Sequence, residues 1–580
     1  MNKRTFCKKK FGSMLISGTF TMAVLYLMML SDSIIAGHFI GEKGIAAINS
    51  ITPVTGVSTF FGCMVSTGAS IVYSKDIGAM RKKHADQIYG QGLIVTFVIG
   101  IISAVILYFI RDLYFSMSGV TGEIYDRALE YYKLAPINIF LTVLVYYLED
   151  MVFSDGDELI NNLGYIFQIG GNIVSSIILA KYYGMLGIII GSIIGNGLGI
   201  IVSCIHFFRK SNTLHFVWYF NIKELIKTSR FSIVDAVIYL CWAVMDYVLI
   251  SYVSAHYGDT GLITLAVVVS LIEFGVVLDG VGMAVQPLLG TYLGEKNHVL
   301  IKRLMRMAIQ AAILEGVVVN VLVIIFAKQF CALFGITAGA ALAPAIAAVR
   351  IVSFGLVFCS AVSLFTSYYM LIDHIGLSVA VTVLKDGILY SFLPLLGSVI
   401  AGEKGMWIAF VIAPIVTLVI SLAYVYLRYG KKLFPYLLKG MDSEILVFDD
   451  VLTNESATGL SEKVENLLEE HNYPKGMANK AALFVEEIGL TILEQNKKEK
   501  NGLLIELSVF FEENSALIIE RDSGKIFDIT DPDQKIEGLS GFILSGLMEM
   551  HKEKAYLTTT GYNRNMMRFS SQEALGIYRK

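Results

Sequence analysis

Five acids stand in stretches that are otherwise made of lipid-soluble side chains. Asp32 sits in LMMLSDSIIAG, Asp246 in CWAVMDYVLIS, Glu273 and Asp279 in LIEFGVVLDG, and Asp386, next to Lys385, in VTVLKDGIL. An ionised acid in hydrocarbon costs several kcal/mol unless it is paired, so such residues face a cavity, bind an ion or meet a base. A carboxylate taken out of water also holds a proton more tightly, and that proton can be exchanged for another cation. This is the chemistry of ion-coupled transport. Asp32 lies near the outer end of its apolar stretch. Glu273 and Asp279 are six residues apart, which at about 3.6 residues per turn places them on different faces of a helix. One can then face a cavity while the other supports packing. For Asp386 the neighbouring lysine leaves a structural ion pair as the plainer reading, and for Asp32 the plainer reading is an interfacial acid satisfied by water.

Nothing else in the chain has the spacing of a reaction centre. The six cysteines (Cys7, Cys63, Cys204, Cys241, Cys331, Cys359) are scattered through apolar sequence, with no CxxC and no Cys/His cluster. They read as buried, inert thiols, and neither a metal site nor a required cofactor is expected.

The elements that must hold these acids are membrane helices. The chain has 580 residues, 55% hydrophobic and 16% charged, with mean hydropathy +0.64. Soluble domains carry about 25% charged residues. A span needs roughly 20 mostly apolar residues, which predicts about twelve: 12–38, 44–74, 88–110, 131–153, 160–181, 184–208, 231–256, 261–292, 305–328, 342–371, 376–399 and 405–428. The net charge of −3 hides local asymmetry and gives no sign of a nucleic-acid partner. Lys and Arg gather in alternate loops (Lys75, Arg81–Lys83; Arg209, Lys210, Lys223; Lys296–Arg306; Arg428–Lys432), which predicts a cytoplasmic N-terminus and tail in a multi-pass inner-membrane protein. The basic N-terminal segment before the first span reads as an uncleaved start, not a signal peptide.

The spans repeat. Asp32 and the turn Gly41-Glu42-Lys43-Gly44 are echoed by Asp246 and Gly258-Asp259-Thr260-Gly261. Gly78 maps to Gly294, Asp155 to Asp373 and Gly187 to Gly405, all at shifts of 214 to 218 residues. A copy this long is a domain-sized bundle, and two such copies in lipid suggest a transporter with its site between them. The expected architecture is therefore two six-helix repeats, 10–218 and 219–430. Beyond Gly440 charge becomes dense and strands alternate (Leu503–Phe511, Ala516–Arg521). This predicts a juxtamembrane linker at 431–455 and a soluble α/β domain at 456–580.

Three stretches carry a resemblance: the acid followed by G-x-x-G-x-A-A in Asp32–Ala47, AVQPLLGTYLGEKN at Ala284–Asn297, and KGMWIAF at Lys404–Phe410. Over about residues 10–430 the chain resembles the multidrug and toxic compound extrusion (MATE) transporters. The resemblance implies a V-shaped pair of bundles that export small organic molecules, cations among them, in exchange for H⁺ or Na⁺. It also implies that Asp32 takes part in coupling. Several members of that family pair an Asn with an Asp one turn apart in the fifth span; here Asn172 is followed by Ser175 and Ser176, with no acid. Asp32 is therefore expected to lack an acidic partner, which gives weight to the C-terminal acids.

The tail, roughly 460–575, resembles the nucleotide-binding fold of histidine kinases and anti-sigma-factor kinases. The residues that carry this are Phe484–Ile488 with Glu487, Arg521-Asp522-Ser523-Gly524, Gly538-Leu539-Ser540-Gly541 and Gly561–Met566. Thr491 stands where that fold holds Mg²⁺ with an Asn, and Ile526 crowds the place after the D-x-G turn. ATP–Mg²⁺ turnover is not expected, and the tail reads as a regulatory module open to a cytoplasmic partner protein. Two other readings are a lipid-linked saccharide flippase, disfavoured by the lack of an arginine cluster, and a membrane-anchored signalling kinase, disfavoured by Thr491.

Overall fold

A computed structural model of the chain describes residues 5–570 except 119–121, 335, 442–443, 498–501, 532–537, 552 and 559. The last part of the tail resemblance (571–575), with Lys3 and Arg4, lies outside the described residues. The N-terminal half contains α1 (Phe6–Phe39), α2 (Glu42–Gly78), α3 (Lys82–Ser118), α4 (Gly122–Tyr132), α5 (Ala135–Ser154), α6 (Glu158–Tyr183), α7 (Met185–Cys204) and the short α8 (Ile222–Ser229). The second half contains α9 (Ile233–Phe274), α10 (Gly280–Gly294), α11 (His298–Ile325), α12 (Ala327–Leu333), α13 (Leu342–Ser353), α14 (Leu356–Leu371), α15 (Ile375–Thr382) and α16 (Tyr390–Tyr429). A 3₁₀ turn, Gly275–Asp279, joins α9 to α10, and a π-helical turn, Val383–Leu389, joins α15 to α16.

The expected twelve spans are corrected by this architecture. Among the described residues, eight helices are long and apolar enough to cross a membrane, or nine if the bent pair α13–α14 counts as one span. Stretches that hydropathy separates are joined by the backbone. Residues 376–399 and 405–428 belong to one helical run, Ile375–Tyr429, which turns at Ala401 and Gly402. Residues 231–256 and the next stretch both fall within α9, on either side of a non-helical turn at Gly258 (φ 57°, ψ −154°). Residues 342–371 break by 45° between α13 and α14. At Gly402 the backbone turns back so sharply that a Cβ on Gly405 would lie 2.1 Å from the Gly397 carbonyl oxygen, so two stretches that composition separates share one run around a tight glycine turn.

The repeat appears as paired backbone geometry. Gly41 and Gly258 both have positive φ (87° and 57°), as do Gly184 and Gly402 (56° and 62°) and even the non-glycines Met80 and Lys296 (57° and 58°). The ends of α2 and α10 cross backbone to backbone: a Cβ on Gly78 would lie 2.1 Å from the Thr291 carbonyl oxygen, and one on Gly294 would lie 2.2 Å from that of Lys75. Lys75 and Thr291 are themselves equivalent positions, so this contact is nearly self-complementary.

Apolar cores follow the halves at one end and merge at the other. Ile35, Ile51, Tyr132 and Ile188 form one cluster within the N-terminal half. Leu249, Leu271, Val349 and Phe410 form another within the second half. A third cluster joins Phe11, Ile71 and Phe153 to Val285, Leu289 and Leu304, so the halves share a core where α2 and α10 end.

The tail adds β1 (Ile445–Val451), α17 (Asn454–Glu470), α18 (Lys475–Gln495), β2 (Leu504–Phe511), β3 (Ser515–Asp522), α19 (Gly538–Met550), β4 (Lys554–Tyr556) and β5 (Asn563–Ser570). The five strands form an open antiparallel sheet in the order β1-β2-β3-β5-β4. The sheet thus starts at Ile445, within the stretch read as linker. Val464, Phe484, Leu544 and Leu547 cover one face of it against Leu507, Ile518 and Phe569.

Candidate ion-coupling site

The α6–α7 hairpin builds the site around Asp32. On α7, glycines recur every fourth residue at Gly187, Gly191, Gly195 and Gly199. Small residues at this spacing let membrane helices approach closely. A Cβ on Gly191 would lie 2.0 Å from the Ser176 hydroxyl, and one on Gly195 would lie 2.4 Å from the Gln168 carbonyl. This approach puts Ser192, next to Gly191, beside Asn172 of α6: the Asn172 amide donates to the Ser192 oxygen over 2.8 Å.

Asp32 of α1 enters this pair. The Ser192 hydroxyl lies 3.2 and 3.0 Å from the two carboxylate oxygens. Tyr131, brought by α4, donates its phenol over 2.7 Å, and Asn172 Nδ2 reaches Oδ1 at 3.4 Å. Ser31 donates to Asn172 Oδ1 over 3.4 Å. Asn172, Ser192 and Ser31 are buried, whereas Asp32 keeps part of its surface open. The place of the absent acidic partner is therefore taken by two hydroxyls and an amide N–H, and Ser176 bonds instead to the Ile188 carbonyl at 3.1 Å. A carboxylate beside the Tyr131 and Ser192 hydroxyl oxygens can take a proton or a small hard cation, since oxygen ligands suit such ions.

Below Asp32 a buried polar column continues. Gln168 donates to Asn196 over 2.8 Å, and Asn196 donates to Asn138 at 3.0 Å and Thr142 at 2.8 Å. Further along, Glu149 is fully buried. Neither of its oxygens meets hydrogen-bond geometry, although Tyr165 lies alongside. Sequence reasoning missed Glu149, Ser192 and Tyr131. Glu149 could have been found as an acid within the predicted span 131–153, but the hydroxyls carry no signal until the helices are packed.

The C-terminal acids are placed differently. Asp386 lies 3.3 Å from Lys385 Nζ on the π-helical turn, so the ion-pair alternative is realised. Asp279 ends the 3₁₀ turn and accepts from Ser363; Lys385 and Asp386 are within electrostatic reach of it. Asp246 and Glu273 lie on α9 on either side of the Gly258 break, within electrostatic reach of each other and partly exposed. Glu315, also missed, accepts from Thr19 of α1 over 2.7 Å and so links the halves.

In the tail, the Asp522 carboxylate is engaged by its own loop. It accepts from Gly524 N at 2.6 Å and from Asn563 Nδ2 at 3.0 Å. Asn496 holds Lys525 N at 3.0 Å. Burial pushes the Asp522 carboxyl up to about 6, against the lowering effect of those two donors. A small cavity beside it is lined by Thr491, Asn496, Asp522, Lys525, Phe527 and Asn563. Thr491 Oγ1 is buried there without a partner, as is one oxygen of Glu487 one turn earlier on α18. Gly538 and Gly541 lie in the first turn of α19, not in a loop. Among the described residues, no group of three or more His, Cys, Asp or Glu could hold a metal ion.

An acid held by Tyr131, Ser192 and Asn172 inside repeated and closely packed membrane helices fits a membrane transport protein. The MatE family profile matches residues 19–178 and 236–385, more than half of the chain, and the protein belongs to that family. It is 23% identical over 281 residues to the multidrug export protein MepA of Staphylococcus haemolyticus (strain JCSC1435). That alignment covers 46% of this chain and 61% of MepA, so about three fifths of the relative's length is spanned. Among solved structures, the fold is similar to an outward-facing multidrug resistance MATE transporter of the MOP superfamily (TM-score 0.67, 21% identity, 73% of this chain and 96% of the other). It is also similar to a Pyrococcus furiosus MOP transporter described as having a binding pocket of reversed polarity (TM-score 0.65, 20% identity, 73% and 96% covered). The protein is thus a polytopic MATE-family transporter, and its relatives are transporters, not enzymes.

Proposed function

We propose that the chain exports small organic molecules, cations in particular, against an inward flow of H⁺ or Na⁺, and that Asp32 is the coupling carboxylate. The observation that carries this is the group Asp32–Asn172–Ser192–Tyr131, an anionic centre with two neutral hydroxyls, one amide N–H and an open side. MepA is named for multidrug export, which supports the substrate class. Asp246, Glu273, Asp279 and Asp386 form the second half's substrate and cation contacts, with Lys385 as an internal cation at Asp386. The halves 10–218 and 219–430 rock about the shared core, the N-terminus and tail face the cytoplasm, and 456–580 regulates the transporter. With Asp522 occupied by Asn563 and Gly524, the tail is a nucleotide-type fold that does not turn ATP over.

Purified full-length protein in liposomes, loaded with a fluorescent organic cation, tests this under an imposed H⁺ or Na⁺ gradient. Efflux driven by one gradient and lost in Asp32→Asn is expected. Equal rates in wild type and Asp32→Asn under both gradients would remove Asp32 from the mechanism.

A further inference from the structure

The tail's sheet has a second covered face, and what covers it is the transporter. Ile445, Phe510 and Ile519 pack there with Val299 of α11. Around this apolar patch the polar contacts reach both halves. Arg564 of β5, almost fully buried, donates to the carbonyls of Ile77 (2.9 Å) and Gly78 (2.6 Å) at the end of α2. The same guanidinium lies 2.9 Å from Glu295 at the end of α10. Arg521 of β3 pairs with Glu295 as well and with Glu506 of β2 at 2.6 Å. Asn297 donates to Ser508 over 3.1 Å, and Arg303 pairs with Asp449. On the N-terminal side, Phe6 and Tyr562 meet edge to face at 4.6 Å. Gly156, between α5 and α6, has φ 88°, and a Cβ there would lie 2.2 Å from the Thr560 backbone.

Gly78 and Gly294 mark the crossing of α2 and α10, where the halves share their core. Arg564 therefore spans the seam itself, holding carbonyls of one half and a carboxylate of the other with one planar group. We propose that the composite surface made by the ends of α1, α2, α10 and α11 is a docking site for the tail sheet, and that the docked tail clamps the two halves shut at this end and slows the transport cycle. Alternating access requires the closed end to part by rocking one repeat against the other. Parting would take Arg564 from its carbonyls or from Glu295, and a buried charge that loses its partner is strongly unfavourable. The clamp rests on the family's transport activity but not on Asp32 as the coupling group or on which side the tail faces.

The test uses the full chain in liposomes, with nitroxide labels at Lys83→Cys and Lys302→Cys, exposed positions beside the seam on either half, and in a second preparation at Lys83→Cys and Glu462→Cys on the tail. Arg564→Ala cuts the clamp from the tail side; Glu295→Gln cuts it from the transporter and leaves the tail's own core untouched. Both are expected to lengthen the 83–302 distances and to raise initial efflux of a fluorescent cation by about fivefold, the low end of usual coupling between sites. Distances at 83–302 that stay at wild-type values in both variants, with 83–462 lengthened, would overturn the clamp, as would efflux unchanged or reduced in both. If the coupling assignment fails, Asp32→Asn retains efflux while the distances still report the clamp.

Discussion

Asp32 is held by groups that can tell its charge states apart. Asn172 faces it with its amide nitrogen and can only donate, which favours the carboxylate, while the Tyr131 and Ser192 hydroxyls can also accept. A hydrogen bond to a charged group is worth about 1.5–3 kcal/mol. Ser192→Ala is therefore expected to weaken the coupling cation's apparent affinity by roughly tenfold or more, read from the cation dependence of efflux. Asp386 is the opposite case. Asp386→Asn strips the mostly buried Lys385 of its counter-ion and is expected to destabilise the second half by about 3 kcal/mol, seen as a lowered melting temperature in detergent. In the tail, Asp522 gives a pH prediction. Its folded value, raised by burial to about 6 from 3.8, means that the folded tail binds this proton more tightly than the unfolded chain. That contribution is full below about pH 3.8 and is lost as pH rises to about 6. Asp522→Asn is expected to flatten this slope in the exchange protection of β3 and β5 amides in the intact protein, after correction for intrinsic exchange. Asp32 and Asp386 were legible from sequence because charge within apolar sequence is rare, and Asp522 because it falls in a D-x-G turn after a strand. Their hydroxyl and amide partners were not, since Ser and Tyr inside a span are ordinary until packing points them somewhere.

At the scale of elements, α7 decides whether the Asp32 group exists. Gly191→Ala would drive a methyl to 2.0 Å from the Ser176 hydroxyl and 2.5 Å from its amide nitrogen. The hairpin must then open, and overpacking of this kind costs about 1–3 kcal/mol. Ser192 moves with it, so thermal stability and coupled efflux are expected to fall together; a stable variant with wild-type coupling would separate the stripe from the site. The helix count shows where sequence reasoning at this scale fails. The turn at Gly258 was legible as an echo of the one at Gly41, and Gly405 as an echo of Gly187, whereas the matching turns at Gly184 and Gly402 emerge only from the backbone. How tightly the backbone turns at such a glycine, and so whether two apolar stretches share one run, is set by its dihedral angles, which composition does not report.

At the scale of the molecule, the halves keep separate cores at one end and share one at the other, where the tail sits. Removing the tail's grip is expected to change the balance between these ends, as set out for Arg564→Ala and Glu295→Gln. By itself the sequence determined what depends on local composition and on residues near one another in the chain. That includes membrane helices carrying acids, a long repeat, and a charged tail with strands. Only the tertiary structure decided which groups meet Asp32, how apolar stretches join into helices, and that a sheet face carrying Arg521 and Arg564 rests on both halves. The reason is physical: Arg564 meets its carbonyls across 486 and 487 residues, and at such separations partners are chosen by packing and desolvation, which no local pattern encodes.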